Sequence, residues 1–257
     1  MSPAKYPVVL TYHSISHGNS PLKIPPALFT EQMEWLSVNA RVLPLHELVA
    51  AMNAQRALPE RAVVLTFDDA YLDFYSAATP VLRRFRLPAT IFLPTGFCGG
   101  TNAWPGQPAS TSSECLLNWR HVVELVEQGF CFGAHTVTHP VLTDLPADQA
   151  EQEVAASKAQ IEGHTGQTVD FFAYPFGRWS PAVRDLVKNH YLGACTTAAG
   201  VVEGNADVFA LPRVDAHYIR QPARLRALFT TPFLAYVAAR RLIRRIRGKP
   251  EGFYARV

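Results

Sequence analysis

Two groups of polar residues in this chain have the types and the spacing of a metal site. Asp68 and Asp69 are adjacent, and His135 and His139 are separated by three residues. Two histidines and one carboxylate are a recurrent ligand set for zinc and similar ions, with coordination positions left open for catalysis. Two adjacent, partly buried carboxylates repel each other, so a compensating cation is expected beside them. The spacing therefore predicts a catalytic metal site that contains both groups.

Each group has a simpler explanation when it is taken alone. Asp68 and Asp69 could cap and begin a helix predicted from Leu72. His135 and His139, which we expect on one face of a helical turn, could be ordinary surface or core histidines. Both groups follow the ends of predicted buried strands, however, and this shared placement favours the metal site over the two separate explanations.

Short apolar runs alternate along the chain with helical patterns. The predicted strands are Val8–Tyr12, Ala62–Phe67, Ala89–Leu93, Phe130–Ala134, Phe171–Tyr174, Leu192–Thr196 and Ala210–Val214. The predicted helices are Ala27–Ser37, Leu72–Phe85, Trp119–Glu127, Ala147–Glu162 and Pro181–Asn189. This repeated order predicts an α/β domain with a parallel sheet, either a barrel or a doubly wound layer.

The positions of the polar residues favour the barrel. His13, Asp68, His135 and the segment 175–177 each lie just past the end of a predicted strand. In a parallel β/α barrel these ends converge on one rim, so residues distant in sequence share one cleft. We therefore expect a single, distorted (β/α) barrel with its functional residues at that rim.

Three short motifs resemble the first three motifs of the polysaccharide deacetylases, also called the NodB-homology or carbohydrate esterase family 4 domain: Thr66-Phe67-Asp68-Asp69, His135-x3-His139 and Tyr174-Pro175-Phe176-Gly177. The opening Leu10-Thr11-Tyr12-His13-Ser14-Ile15, with Phe29-x2-Gln32-Met33-x2-Leu36, is similar to the poly-N-acetylglucosamine deacetylase branch. The resemblance spans roughly residues 7 to 218 and implies a NodB-type barrel.

The resemblance also implies roles for individual residues. A divalent metal, with zinc as our expectation, would be bound by Asp69, His135 and His139. Asp68 would be the general base that activates water, and His13 the general acid. The backbone N–H of Phe176 would help to hold the oxyanion. These roles agree with the chemistry, because hydrolysis of an acetamide needs an activated water, a base, an acid and charge stabilisation.

The chain departs from the family pattern in three places. Many members have an arginine two residues before the proline of the third motif, where this chain has Ala173. The nearest substitute is Arg213, unless it forms an exposed ion pair instead. His217 is displaced from the usual spacing of the family's acid, so we place it below His13 for that role. The fourth motif is not recognisable, which leaves the sugar contacts open.

Composition indicates an ordinary globular protein. Hydrophobic residues make up 48% and charged residues 18% of the 257 positions. The chain has no apolar run long enough for a membrane span and no signal-peptide core near its start. Its four cysteines form no CxxC pair, so neither a zinc knuckle nor a redox motif is indicated. We expect a cytoplasmic protein.

Positive charge is concentrated at the C-terminus. From Arg220 onward there are ten Lys or Arg residues and one acid, Glu251, so this segment carries +9 and the rest −6 of the net +3. Within it, 232–247 has the pattern of a basic amphipathic helix, which could bind an anionic membrane surface or pack on the barrel with its arginines in solvent. No motif supports nucleic-acid binding. We expect a catalytic domain over 1–219 and a basic amphipathic segment over 220–257. If this segment binds a membrane, the protein would be peripheral to the inner membrane face.

The predicted function is the metal-dependent removal of an N-acetyl or similar acyl group from an amino sugar. The substrate would be a polysaccharide or a lipid-linked glycan precursor. Two alternatives remain open at this point. One is a non-catalytic carbohydrate-binding protein on a degenerate deacetylase fold, and the other is a metal amidohydrolase that acts on a non-sugar amide.

Overall fold

The computed structural model describes residues 5–107 and 112–246. In this part of the chain, seven parallel strands close into a barrel: β1 (Val8–Tyr12), β3 (Ala62–Phe67), β4 (Thr90–Leu93), β5 (Cys131–Ala134), β6 (Phe171–Ala173), β7 (Gly193–Ala199) and β8 (Leu211–Asp215). The barrel closes because β1 pairs with β8 on one side and with β3 on the other. A two-residue strand, β2 (Arg41–Val42), pairs with the start of β3. The predicted barrel is confirmed.

Helices surround this barrel. They are α1 (Pro26–Asn39), α2 (Leu45–Asn53), α3 (Thr79–Phe85), α4 (Trp119–Glu127), α5 (Ala147–Thr165), α6 (Pro181–Lys188), α7 (Pro222–Arg226) and α8 (Thr231–Ile246). A short π-helical stretch, Phe74–Ala78, leads into α3, so that the predicted helix Leu72–Phe85 is present in two parts. Helix α2 was not predicted from the sequence, and neither were β2 and α7.

The barrel interior is apolar at the end where the strands begin and polar at the end where they finish. Val9, Val64, Phe92 and Leu211 share one buried cluster, and Leu45, Leu48 and Val49 of α2 join it. Helix α2 therefore seals the end of the barrel at which the strands begin. Nearer the other end, the buried side chains are polar: Thr11, Thr66, Thr196 and Arg213. The buried side chains therefore change from apolar, where the strands begin, to polar, near the rim where the strands end.

The C-terminal segment is divided between the core and the surface. Phe233 and Val237 of α8 are 3% and 2% exposed and belong to the outer core of the barrel. One turn further on, Leu242 and Ile243 are 58% and 41% exposed. The first half of α8 thus packs on the barrel. In the described residues, no helix combines the length and the apolar character needed to cross a membrane.

Candidate metal centre and active site

Three buried side chains from two strand ends converge at the rim. Asp69 follows β3, and His135 and His139 follow β5. The two histidine Nε2 atoms lie 3.1 Å apart, and each is 3.4 Å from Oδ1 of Asp69. Two ligands on a tetrahedral zinc, with bonds of about 2.0–2.1 Å, lie about 3.3 Å apart. The three atoms therefore have the spacing of ligands on a single ion.

Hydrogen bonding and burial prepare both imidazoles to bind a cation. The Nδ1 atom of His135 lies 2.7 Å from the carbonyl oxygen of Ala173, which can only accept, so Nδ1 carries the proton and Nε2 a lone pair. Burial, followed by the neighbouring His135, lowers the pKa of His139 to about 3, so this imidazole is neutral at ordinary pH. Burial acts to raise the pKa of Asp69, but the two histidines outweigh it and the net pKa is lowered. An ionised Asp69 carboxylate, a neutral His139 imidazole and the Nε2 atom of His135 fit a divalent cation.

The loop between the two histidines is not helical, and the prediction of a helical turn was wrong. Thr136 and His139 have left-handed backbones, with φ of 69° and 55°. The loop folds back on itself because the Thr136 hydroxyl oxygen accepts a hydrogen bond of 3.0 Å from the His139 N–H. Such conformations cost about 1–3 kcal/mol each and persist only where the surroundings hold them. A regular turn would have pointed the imidazoles differently.

Backbone strain is concentrated at this site. Asp69, Ala70 and Phe176 also have positive φ angles, of 70°, 52° and 57°. With Thr136 and His139, they account for five of the eight non-glycine residues in the described chain that have a left-handed backbone. Side chains at strand ends can reach one ion only if the chain turns sharply there, which explains the clustering.

Two aromatic residues that the sequence did not identify as functional support the metal ligands. The Tyr71 phenol hydrogen-bonds to Asp69, and burial, followed by that carboxylate, raises its pKa well above the usual value, so it donates. The Trp104 ring lies against His139, with centroids 4.4 Å apart. Tyr71 lies two residues after Asp69, which is a usable sequence signal, whereas Trp104 lies in a long loop without one.

Asp68 forms a buried bidentate ion pair with Arg213. Nη1 of the guanidinium donates to Oδ1 at 2.8 Å, and Nη2 to Oδ2 at 2.6 Å. The Arg213 Nε–H donates to the carbonyl oxygen of Thr196 at 2.8 Å. Arg213 is 2% exposed, so the alternative of an exposed ion pair was wrong. It reaches Asp68 from β8 through the barrel interior, where Ala173 on β6 has no long side chain.

This ion pair sets the charge of Asp68. Burial acts to raise the pKa of the carboxyl, but the charge and hydrogen bonds of Arg213 outweigh burial, so the pKa is lowered. Asp68 is therefore ionised at neutral pH. Each carboxylate oxygen has more than one acceptor site, so an oxygen bound to Arg213 can still accept a proton.

His13 lies beside both carboxylates. It follows β1, is half-buried, and its charge contributes to the lowered pKa of Asp68 and of Asp69. The turn after it is fixed by Asp73, which accepts the Ser14 hydroxyl at 2.5 Å and the Ile15 N–H at 2.9 Å. The structure thus brings His13 to the cleft.

His217 has different neighbours. Burial lowers its pKa, Asp215 opposes this, and three arginines lower it further: Arg220, Arg240 and Arg224. It follows β8, whose Asp215 pairs in register with Thr11 of β1, so it leaves the same rim as His13. Its surroundings are basic, whereas those of His13 include both carboxylates.

Phe176 lies beside the metal ligands. Its ring contacts that of His139, with centroids 4.7 Å apart, and its backbone is left-handed. Gly177 follows with φ of 68°, and a Cβ there would lie 1.9 Å from the Thr197 hydroxyl. Only glycine fits this position, so the turn that brings the Phe176 backbone to the site depends on it.

The sequence is similar to those of known proteins. Residues 55–194 match the family model described as polysaccharide deacetylase. The Bacillus subtilis (strain 168) protein YxkH, which carries the name of a polysaccharide deacetylase, is 31% identical over 214 residues, covering 82% of this chain and 71% of its own length. The poly-β-1,6-N-acetyl-D-glucosamine N-deacetylase of Staphylococcus epidermidis is 26% identical over 197 residues, covering 72% of this chain and 65% of its own length.

Solved structures show the same fold. IcaB from Ammonifex degensii superposes with a TM-score of 0.73 at 25% identity, covering 91% of this chain and 97% of that one. The Streptococcus pyogenes deacetylase PplD in complex with acetate gives a TM-score of 0.71 at 26% identity, covering 82% and 92%. With more than half of its length matched by the family model, this chain belongs to the polysaccharide deacetylase family.

Proposed function

We propose that this protein is a metal-dependent N-deacetylase that hydrolyses the acetamide of an amino sugar within a glycan. The observation that carries the proposal is the Asp69, His135 and His139 cluster next to the ionised Asp68. The names of relatives support the substrate class, because one acts on poly-β-1,6-N-acetyl-D-glucosamine. Another was solved with acetate, which would be the product here.

The residues of the site divide the reaction between them. A divalent cation held by Asp69, His135 and His139 would lower the pKa of water and polarise the amide carbonyl. Asp68 accepts a proton from the attacking water, and Arg213 holds its carboxylate in place. Because Arg213 also keeps Asp68 ionised, the base is ready at neutral pH.

The remaining steps concern the oxyanion and the leaving amine. The Phe176 N–H donates to the oxygen that becomes negative, which is most effective in a dry site where the donor is already fixed. His13 gives a proton to the amine nitrogen as the C–N bond breaks. Its position beside both carboxylates, at the rim that holds the metal ligands, supports this role.

Acetate release tests this proposal against its two rivals. Protein stripped with a chelator should release no acetate from N-acetylglucosamine oligomers, and added Zn²⁺ should restore the activity. A binding protein would bind the oligomers without releasing acetate at any metal concentration. An amidohydrolase for other substrates would cleave small amides in preference to the oligomers. Either result would overturn the proposal.

We expect His13→Ala to reduce turnover far more than His217→Ala does. Loss of a general acid typically costs about 10²–10⁴-fold, and only His13 lies beside the proposed base and metal ligands. The measurement is kcat for both variants at saturating Zn²⁺. If His217→Ala is the more damaging change, the acid is His217 and the assignment to the branch with the N-terminal Tyr-His is wrong.

We further propose that the exposed end of α8 binds anionic membranes, which would give the enzyme access to lipid-linked glycans. The support is the pair Leu242 and Ile243, both exposed, among the arginines of this segment. Removing residues 241–257 should release the protein from anionic liposomes at low salt and leave oligosaccharide deacetylation intact.

The position of the cut matters for this experiment. A truncation at Pro232 would also remove Phe233 and Val237 from the core and should therefore destabilise the fold. Co-sedimentation with neutral and with anionic liposomes supplies the control. Full-length protein that stays in solution with anionic liposomes would remove the case for a lipid-linked substrate.

A further inference from the structure

The loop that carries both histidines is held from one side by a single carboxylate of α5. Oε2 of Glu153 accepts the backbone N–H groups of Val137 and Thr138, each at 2.8 Å. Oε1 accepts the Thr138 hydroxyl at 2.6 Å. All three contacts fall between His135 and His139, and together they use both oxygens of the side chain.

The opposite side of the loop is held by backbone. The N–H groups of Thr95 and Gly96 donate to the carbonyl oxygens of Thr136 and Val137, at 3.1 and 2.8 Å. Position 96 is tight, because a Cβ there would lie 2.8 Å from the Val137 oxygen. The loop carbonyls therefore face the turn after β4, and the next two N–H groups face α5.

A carboxylate suits this position for a physical reason. The loop has left-handed residues at Thr136 and His139, so it cannot pair its own N–H groups as a helix would. Two successive N–H groups that point the same way are well satisfied by one anionic acceptor. Glu153 can supply it rigidly, because its neighbour Val154 is fully buried and fixes α5 against the barrel.

From these contacts we infer that Glu153 is a positioning residue for the metal centre: it fixes the loop backbone so that both imidazoles point at one ion. The inference rests on the proposed function only in taking that ion to be the enzyme's metal. The three hydrogen bonds of Glu153 go to Val137 and Thr138 and not to the ligand atoms, so its effect passes through these two loop residues.

The test is the affinity for Zn²⁺, measured by competition with a chromophoric chelator. Substitutions behind metal ligands typically cost about 10–100-fold in affinity, and we expect this loss for Glu153→Ala. Glu153→Gln should recover most of the affinity, since its amide oxygen still accepts two N–H groups. Glu153→Asp keeps the charge and the helix but shortens the reach, so it should bind Zn²⁺ about tenfold more weakly than the native protein.

Glu151→Ala is the matched control, because Glu151 lies on the same helix and pairs with His190 at 2.5 Å instead. It should bind Zn²⁺ normally. If Glu153→Ala does not fold, Glu153→Asp and Glu153→Gln decide the question. Native-like affinity in Glu153→Asp, or an equal loss in Glu151→Ala, would overturn the inference. If the native protein itself binds no Zn²⁺, the failure lies with the proposed function.

Discussion

Replacing Asp68 with asparagine should abolish most deacetylase activity while leaving Zn²⁺ binding nearly unchanged. The amide would keep the shape of the side chain but could not take a proton from water. Loss of a general base costs about 10²–10⁴-fold in turnover. The metal ligands would remain, because Asp69 and both histidines form the cluster without Asp68. The two measurements are kcat for acetate release and Zn²⁺ affinity by chelator competition.

The combination of the two results identifies the role of Asp68. Asp185→Asn, which changes an exposed carboxylate of α6, is the control for the loss of one negative charge. Activity lost together with Zn²⁺ would make Asp68 a ligand. Activity retained within tenfold would require another base and would remove Asp68 from the mechanism.

Several strands could be predicted from the sequence because they are short apolar runs followed by a polar residue, such as His13, Asp68 and His135. The prediction for β1, Val8–Tyr12, and that for β3, Ala62–Phe67, agree with the structure at both ends. Helix α2 was missed although Leu45, Leu48 and Val49 follow helical spacing. Its nine residues cover the end of the barrel at which the strands begin. The local sequence pattern does not show that this helix packs against the strand residues there.

In the site, too, features set by neighbouring residues could be predicted, whereas features set by contacts between distant residues could not. Adjacent motif residues such as Asp68 and Asp69 could be predicted, because their spacing in sequence determines their chemistry. The non-helical loop could not, since it depends on Glu153, which follows the second histidine by fourteen positions and carries no motif. The role of Arg213 was only partly predictable, because its contact with Asp68 joins positions 145 residues apart.

The buried ion pair of Arg213 with Asp68 should contribute strongly to stability. Arg213→Leu should destabilise the protein by about 3–5 kcal/mol at neutral pH, the usual cost of leaving a buried charge without its partner. Both side chains are almost fully buried, so solvent cannot replace the guanidinium. Denaturant unfolding of the native and variant proteins measures the difference. Arg120→Leu, in which an exposed arginine loses its pairing with Glu124, is the control and should leave the midpoint nearly unchanged.

The pH dependence separates an electrostatic cause from a packing defect. In the native protein the pKa of Asp68 is lowered, so the stability from this pair is present above the unfolded value of about 3.9 and lost as pH falls through the folded pKa. In Arg213→Leu, burial loses its strongest opponent and should raise that pKa. The stability lost in the variant should therefore be largest at neutral pH and shrink in acid, and the acid limb of its kcat/KM profile should move to higher pH.

Adding Asp68→Asn to Arg213→Leu should recover much of the lost stability, because no buried charge remains. A deficit that stays constant with pH and persists in the double variant would assign the loss to a cavity in the barrel and not to the ion pair.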